Sequence, residues 1–374
     1  MTSPPAVGPT WPGAGPLVTD TREQAVLDFP AGLGQFQYTF RFALTDGVTG
    51  ENLGDIHPVR DASLRHDTTM TTKRELRFPL TAADTAAINT LTERISVFMV
   101  IPSVPCPDTT HGDWPLGRYM WVDESRRRTT NGSLGSETLT DEMFLVDQQI
   151  LSGISGYGRN IPLVILETIE GLPVTAKIEP CAFNSAEAWA VGTGRGQILE
   201  SLAQTGDYWS PWFDNSGDLR FRRTFDPAAT AADINLDAGY RVIRDSIVET
   251  DDILTSPNTI VVISNSANDP SVPCVGVATV PPQAPNSVAN RGFAVVRTYG
   301  LQLFDAGQAA AVAQGLAQRQ AIFEQVSLST AADPRYDSYN VIRWDGANWL
   351  NLNWSMTLRA GAPMTQTMRR SYAA

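Results

Sequence analysis

Residues 36–44 read Phe-Gln-Tyr-Thr-Phe-Arg-Phe-Ala-Leu, with a large apolar side chain at every second position. A two-residue period is typical of a β-strand that buries one face, because successive side chains point to opposite sides of the strand. Near the other end of the chain, the same alternation runs through Leu350, Leu352, Trp354, Met356 and Leu358. Strands of this kind at both ends predict a mainly β protein.

Between these strands, changes in composition divide the 374 residues into four parts. The first thirty residues are rich in Pro and Gly and lack apolar periodicity, which predicts an extended arm able to lace onto a neighbour. Glycines at 153, 156 and 158 mark a boundary after which helical patterns begin. We therefore predict an arm (1–30), a first β-barrel or sandwich with one helix (31–150), a mixed α/β lobe (151–235) and a second β-domain with one amphipathic helix (236–374).

The first β-domain contains one predicted helix, which Thr81 can cap together with Asp84 three residues later. Its apolar stripe is predicted to be Ile88, Leu91 and Ile95. Besides the alternation at 76–80, strands are predicted at 95–101, 117–123 and 142–147.

The lobe and the last domain have their own patterns. Predicted elements of the lobe are a strand at 162–167, helices near 185–191 and 195–205, and a β-hairpin over 208–221. In the last domain we predict strands at 259–263 and 294–296 and a long exposed loop at 273–290, which is rich in proline. One strong helix lies between these strands: Asp305 and Gln308 make a capping box, and its stripe is Ala309, Val312, Leu316 and Phe323.

The charge balance argues against a protein that wraps nucleic acid, because the net charge is −12 and the pI is about 4.7. Against this acidity, Arg126, Arg127 and Arg128 form a basic cluster, interpreted as a solvated loop or as a contact to an acidic neighbouring subunit. No apolar run reaches the length of a membrane span. Cys106, Cys181 and Cys274 lie far apart without C-x-x-C spacing and are interpreted as buried or free thiols.

No residue of the chain is predicted to be catalytic, to bind a cofactor or to hold a metal. His57, His66 and His111 lie in no metal-binding or nucleophile motif. The glycines at 192, 194 and 196 are interpreted as a turn that opens a helix, since a dinucleotide fingerprint needs a preceding strand and a different spacing. The acidic pairs 141–142 and 251–252 are interpreted as solvated acids at loop edges, with an acid–base pair or a cation site as the alternative.

Tryptophans leave two interpretations open. An exposed group of them can stack on sugar rings, whereas Trp354 falls in phase with an apolar strand face and favours core packing. The five tryptophans concerned are Trp209, Trp212, Trp344, Trp349 and Trp354.

Several short stretches together carry a resemblance to a known family. They are residues 34–42 (Gly-Gln-Phe-Gln-Tyr-Thr-Phe-Arg-Phe), 61–64, 66–69, 115–120, 192–199, 212–214, 217–219, 333–335, 344–346 and 354–355. In these stretches the chain resembles actinobacteriophage minor tail proteins that look like the baseplate hub, or tail-associated, proteins of long-tailed phages. The similarity covers most of the chain.

This resemblance implies two tail-tube-like β-barrel domains per chain and a homotrimeric ring of pseudo-sixfold symmetry. Such a ring adapts a hexameric tail tube to a threefold tip and surrounds the channel through which DNA passes as cargo. The implied partners are distal tail or tail tube proteins, the tape measure protein and other tail-tip proteins. The implied location is the tail tip of the virion, assembled in the host cytoplasm without stable membrane insertion, and the implied role is structural rather than enzymatic.

Two other functions compete with this one. A receptor- or carbohydrate-binding tail-tip module requires exposed tryptophans in a shallow groove. A glycosidase acting on the cell wall requires two carboxylates roughly 5 to 10 Å apart in a cleft.

Overall fold

The computed structural model of the chain describes residues 37–106, 112–129, 132–237, 242–250, 256–265, 273–321 and 324–370. The strands in the first part of the chain are β1 (Thr39–Asp46), β2 (Asn52–Asp55), β3 (Ser63–Asp67), β4 (Arg74–Thr81), β5 (Glu93–Val100), β6 (Trp114–Thr129), β7 (Gly132–Thr140), β8 (Ile154–Ser155), β9 (Ala176–Ile178), β10 (Ala188–Trp189), β11 (Trp212–Phe213) and β12 (Leu219–Phe221). Those of the remainder are β13 (Ile234–Asn235), β14 (Val242–Thr250), β15 (Thr259–Asn265), β16 (Pro273–Thr279), β17 (Val296–Gly300), β18 (Glu324–Ala331), β19 (Val341–Trp344), β20 (Ala347–Thr357) and β21 (Pro363–Arg370). The helices are α1 (Ala82–Ala87), α2 (Met143–Val146), α3 (Ile161–Thr168), α4 (Arg195–Thr205), α5 (Val288–Arg291) and α6 (Ala306–Gln320).

One large sheet organises the molecule, and the protein is mainly β as predicted. Its strands follow the order β14-β18-β21-β20-β3-β4-β7-β6-β5-β1-β2, with β19 paired to β20 and β13 paired to β19. The antiparallel pair β3–β20 joins strands from the two ends of the chain, and Leu64 lies opposite Met356 in that pair. A single core therefore contains side chains from both ends, including Phe78, Trp354 and Met364.

The sheet is open within the described part of the chain, since β2 pairs only with β1 and β14 pairs only with β18. The two closed barrels implied by the resemblance are not formed by these pairings. The division into domains stays a prediction, as does the arm at 1–30, which lies outside the described residues together with Phe36, His111, Asp251, Asp252 and Phe323.

A second hydrophobic core belongs to the α/β lobe and packs α3 and α4 against short strands. The predicted helix near 195–205 is confirmed by α4, and the predicted hairpin is confirmed by the pair β11–β12. The predicted strand at 162–167 is wrong, because these residues form α3, with Pro162 in its first turn, where no backbone N–H is needed. The predicted helix at 185–191 is also wrong, because Ala188 and Trp189 pair with β8.

Four further predictions differ from the structure. The helix that Thr81 caps ends at Ala87, so Leu91 is exposed and Ile95 lies in β5. Residues 143–146 form α2 instead of a strand, and the strand of that region is β7. The basic cluster at 126–128 lies in β6, paired with β7, and not in a loop. The expected loop at 273–290 contains β16, the buried Val280 and Ala284, and α5.

The strand predicted at 294–296 begins at Val296, as β17. It belongs to a separate three-stranded sheet of order β16-β15-β17, and α6 packs on one face of this sheet. Asp305 caps α6 by accepting from the Gln308 backbone N–H at 2.8 Å, as predicted. The Gln308 side chain donates to the Thr205 carbonyl at 2.8 Å, which ties the helix to the lobe.

Gly276 lets α6 approach the sheet. A Cβ added at this position would lie 2.1 Å from the carbonyl oxygen of Ala309, and backbone cannot move aside as a side chain can. We expect Gly276→Ala to lower the free energy of unfolding by about 1–3 kcal/mol through overpacking, measured by urea denaturation. Gly300→Ala on β17 is the matched control, since a Cβ there meets nothing within 4 Å. Equal effects of the two substitutions would contradict this account.

Candidate functional site

A buried arginine joins three parts of the fold. Arg74 begins β4, and its side chain is only 1% exposed. Its guanidinium donates to Asp337 at 2.6 Å, to the Asn215 side-chain oxygen at 2.7 Å and to the Leu116 carbonyl at 3.2 Å. Asn215 in turn donates to the carbonyls of Pro334 and Tyr336. Arg74 therefore locks the large sheet, the turn between β11 and β12, and the loop before β19 together.

The preceding residue makes a parallel connection. The Lys73 ammonium donates to the Ser210 hydroxyl at 3.0 Å and to the carbonyls of Thr68 and Met70. Burial lowers the pKa of Lys73, and the carboxylates of Glu200 and Asp141 oppose that effect. We call Lys73, Arg74, Asp141, Asn215 and Asp337 the polar joint.

Asp141 holds the start of β4 in place through hydrogen bonds to the backbone. One carboxylate oxygen accepts from the backbone N–H groups of Lys73 and Arg74 at 2.9 and 3.0 Å, and the other accepts from Met143 at 3.1 Å. The last of these bonds satisfies a free N–H group at the start of α2. Burial raises the pKa of Asp141 to about 6, although its hydrogen bonds and Arg74 act in the opposite direction.

The neighbouring Glu142 is also buried, between two arginines. It accepts from Arg94 at 3.3 Å and from Arg118 at 2.5 Å, and burial raises its pKa against the effect of both cations. The interpretation of residues 141–142 as solvated acids is therefore wrong. Both carboxylates instead have structural partners.

His66 lies in the core next to the polar joint. Its ring stacks on Trp354 with centroids 5.5 Å apart, and Nε2 lies 2.7 Å from the Ser338 hydroxyl. Burial lowers its pKa well below the usual value, and the charges of Arg74 and Lys73 act in the same direction. His66 is therefore a neutral core residue at pH 7, whereas the side chain of His57 is exposed.

The space left at the polar joint is small. A cavity of about 30 Å³ is lined by residues that include Trp212, Asp337, Ser338 and Asn340. This volume holds a water molecule or two and excludes an organic substrate. The joint is therefore a structural connection between modules.

The face of the large sheet turned away from its core carries a continuous polar row. The row crosses β18, β21, β20, β3, β4 and β7. In that order, the paired positions are Ser329, Thr365, Ser355, Arg65, Glu75 and Thr140. An open cleft of about 470 Å³ lies on this face. Three arginines around it, Arg65, Arg77 and Arg359, are each within 3.0 Å of a carboxylate, those of Asp67, Glu75 and Asp61. Hydroxyl groups and paired charges thus dominate this row and the residues around the cleft.

The remaining predicted positions take structural roles where they are described. Gly194 is the N-cap of α4, which confirms that the glycine string opens a helix. The three cysteines are buried and form no disulfide, as predicted for buried thiols. Within the described ranges, no group of three His, Cys, Asp or Glu side chains could hold a metal ion. Among the helices of those same ranges, none is both long and apolar enough to span a membrane.

Most of the five tryptophans pack in the core, which is one of the two interpretations of the sequence. Trp209, Trp212, Trp349 and Trp354 are all less than 10% exposed. Trp209 stacks on Tyr339 with centroids 4.7 Å apart, and the Arg319 guanidinium lies 4.8 Å from its ring. A sugar-stacking groove built from these four side chains is therefore excluded.

Comparison with known proteins gives no match to any family model and no match to any curated protein. Solved structures do match, and three of them are described as tail proteins. The tail protein from Neisseria meningitidis MC58 superposes with a TM-score of 0.55 at 11% identity, over 89% of this chain and 97% of that one. The 43 kDa tail protein of prophage MuSo2 from Shewanella oneidensis superposes with a TM-score of 0.56 at 12% identity, over 88% of this chain and 98% of that one.

A third structure, the prophage tail protein gp18 from Listeria monocytogenes EGD-e, has a TM-score of 0.54 at 9% identity, over 89% of this chain and 95% of that one. Identities this low establish a shared fold alone. The chain thus has the fold of these phage tail proteins over nearly its whole length.

Proposed function

We propose that the protein is a structural, non-enzymatic component of a phage tail, placed at the tail tip as a hub. In this role three copies form a ring of pseudo-sixfold symmetry around the DNA channel. Each chain contributes two tail-tube-like units, so that the ring joins a sixfold tube to threefold tip proteins. Its partners are further copies of itself, tail tube and tape measure proteins, and other tail-tip proteins.

The observation that carries the proposal is the extent of the shared fold. Three separately determined tail proteins match 88–89% of this chain, and the chain matches at least 95% of each of them. The likeness therefore extends over all modules, including the lobe and the large sheet. A tail role accounts for the whole architecture rather than for one motif in it.

The polar face of the large sheet supports a location beside the channel. DNA-binding surfaces gain affinity from free cationic groups that displace the counterions of phosphates. Here the arginines around the cleft are paired with carboxylates, and the net charge of the chain is −12. We propose that this hydroxyl-rich face lines the channel, where DNA passes without being held.

The buried carboxylates support a structural role. Asp141 accepts from backbone N–H groups and Glu142 accepts from arginines, so each of their four carboxylate oxygens already has a hydrogen-bond donor. The polar joint connects the lobe rigidly to the sheet. Rigid attachment of modules is what a subunit that transmits load between tube and tip requires.

Cryo-electron microscopy of the intact particle that contains this chain tests the proposal. We expect three copies on the tail axis, below the sixfold tube, with the polar face turned toward the lumen. Copies found only on peripheral fibres would overturn the hub role and favour receptor binding. Axial copies with the polar face turned outward would overturn the channel assignment alone.

A further inference from the structure

The three-stranded sheet has one face that no layer of described residues covers. Helix α6 packs on the side that contains Ile260 and Val262. The opposite face, which we call the bare face, carries no charged residue, and Val277 and Val296 on it are 61% and 57% exposed. Its nine positions are Thr259, Val261, Ile263, Val275, Val277, Thr279, Val296, Thr298 and Gly300.

This composition is unusual for a sheet surface in water. Strands with one solvated face normally place polar residues on it, and sheets with parallel strand pairs are normally covered on both faces. Here β15 and β17 pair in parallel, and the outward positions of β15 and β16 are all Thr, Val or Ile. The bare face therefore has the composition of a covered face.

The area of the bare face indicates what kind of partner covers it. Three strands about 4.8 Å apart over five residues present a surface about 16 Å long and 14 Å wide, roughly 240 Å². A stable contact between two folded surfaces needs about 800 Å² per partner. An extended segment of five residues, by contrast, has the same length of about 16 Å. The bare face is thus the size of a site for a short extended segment.

The chain itself contains a suitable segment. Residues 1–36 precede the described part, and every other stretch outside the described ranges has seven residues or fewer. Within 1–36, residues 25–29 read Ala-Val-Leu-Asp-Phe. In an extended segment Leu27 and Phe29 project to one side and Asp28 to the other. Such a segment can place two large apolar side chains on an uncharged face and leave its carboxylate in water.

The attachment point of this stretch favours a neighbouring copy as its source. The Tyr38 hydroxyl accepts from the Gly361 backbone N–H at 3.0 Å, in the turn before β21. Helix α6 leads into β18 at Glu324, which pairs with Arg370 at the opposite end of β21, about 23 Å along the strand. Nine residues separate Phe29 from Tyr38, which is at most about 32 Å of chain. Most of that reach would be used along the large sheet.

We propose that residues 25–29 of a neighbouring copy of this chain pack against the bare face. The inference rests on the ring of the proposed function, which brings copies side by side, and it names one contact between them. Each copy gives its segment to one neighbour and receives a segment from the other, as a head-to-tail contact requires. Because the bare face brings no carboxylate to the contact, copies with a net charge of −12 can approach each other there.

The reactivity of a thiol placed on the bare face tests the contact in the full-length chain. Val277→Cys introduces that thiol at an exposed position, while the three native cysteines are buried and should react slowly with iodoacetamide. We expect the reaction rate to fall at least about tenfold as the protein concentration rises past the point of assembly, followed by light scattering, because protection grows with the bound fraction. Leu151→Cys, at a 91% exposed position in the lobe, is the matched control and should react equally fast at all concentrations.

A second substitution identifies the segment that protects the thiol. Adding Leu27→Asp to Val277→Cys should restore the fast rate, because a charge in an apolar contact is costly. An excess of wild-type chain mixed with this double variant should protect the thiol again, since wild-type copies supply intact segments. Circular dichroism checks that each variant is folded.

Three results would overturn the proposed contact: a thiol that stays reactive at every concentration, protection that survives Leu27→Asp, or protection that does not change on dilution and therefore comes from the same copy. Imaging of the particle tests the ring separately. An axial trimer combined with an unprotected thiol would overturn this contact and leave the proposed function intact. Copies away from the axis combined with a protected thiol would overturn the hub role and leave the contact between copies.

Discussion

Arg74→Met is expected to lower the free energy of unfolding by about 3 kcal/mol. Breaking a buried ion pair by removing one partner costs about 3–5 kcal/mol, because the remaining charge stays buried without compensation. Asp337 keeps 20% of its side-chain exposure, and Trp212 and the Ser338 backbone also donate to it, so the lower end of that range applies. The measurement is urea denaturation followed by tryptophan fluorescence.

Arg77→Met is the control for this experiment. Arg77 lies three residues along the same strand, is 67% exposed and pairs with Glu75 at the surface. Exposed ion pairs contribute little, so we expect a change within about 0.5 kcal/mol. Arg74→Lys should fall between the two, since an ammonium group cannot reach Asp337, Asn215 and the Leu116 carbonyl with the planar geometry of the guanidinium. Equal effects at positions 74 and 77 would contradict the account of the joint.

Asp141→Ala is expected to cost about 3 kcal/mol for a different reason. The substitution removes the acceptor of three backbone N–H groups, those of Lys73, Arg74 and Met143. A buried donor left without a partner costs about 1–3 kcal/mol. Asp141→Asn should cost less, about 1–2 kcal/mol, because its amide oxygen still accepts from two of the donors while its NH₂ group faces the third.

The same carboxyl predicts a pH dependence. Its pKa in the folded chain is about 6, above the 3.8 of an exposed aspartate, so the folded state binds the proton more tightly. Its contribution to stability is therefore fully present below pH 3.8 and is lost as the pH rises through 6. We expect the stability of the wild type relative to Asp141→Asn to rise by about 2 kcal/mol between pH 7 and pH 4. A difference that stays constant or falls over this range would contradict the burial of an ionised Asp141.

The buried polar residues show how far pattern analysis reaches. Arg74 lies an even number of residues from Leu76, Phe78 and Leu80 in the same strand, and His66 lies two residues from Leu64. Strand alternation alone therefore places both side chains on the core face. That signal is present in the sequence. The side-chain partners of Arg74, Asn215 and Asp337, lie 141 and 263 residues away, and no local pattern connects such positions.

The sequence by itself determined the features that depend on neighbouring residues. Two-residue alternation specified β4 and β20, and side-chain caps specified the starts of α1 and α6, because the atoms that decide these elements lie within a few residues of one another. Short apolar runs were ambiguous: residues 162–167 became a helix because the core of the lobe surrounds them. Tertiary structure alone decided that strands from both ends share one sheet, that Asp141 and Glu142 are buried, and that among the described residues one face of the three-stranded sheet has no cover. These outcomes depend on which distant parts of the chain pack together. The burial that results sets the hydrogen bonds, the pKa values and the exposed apolar area.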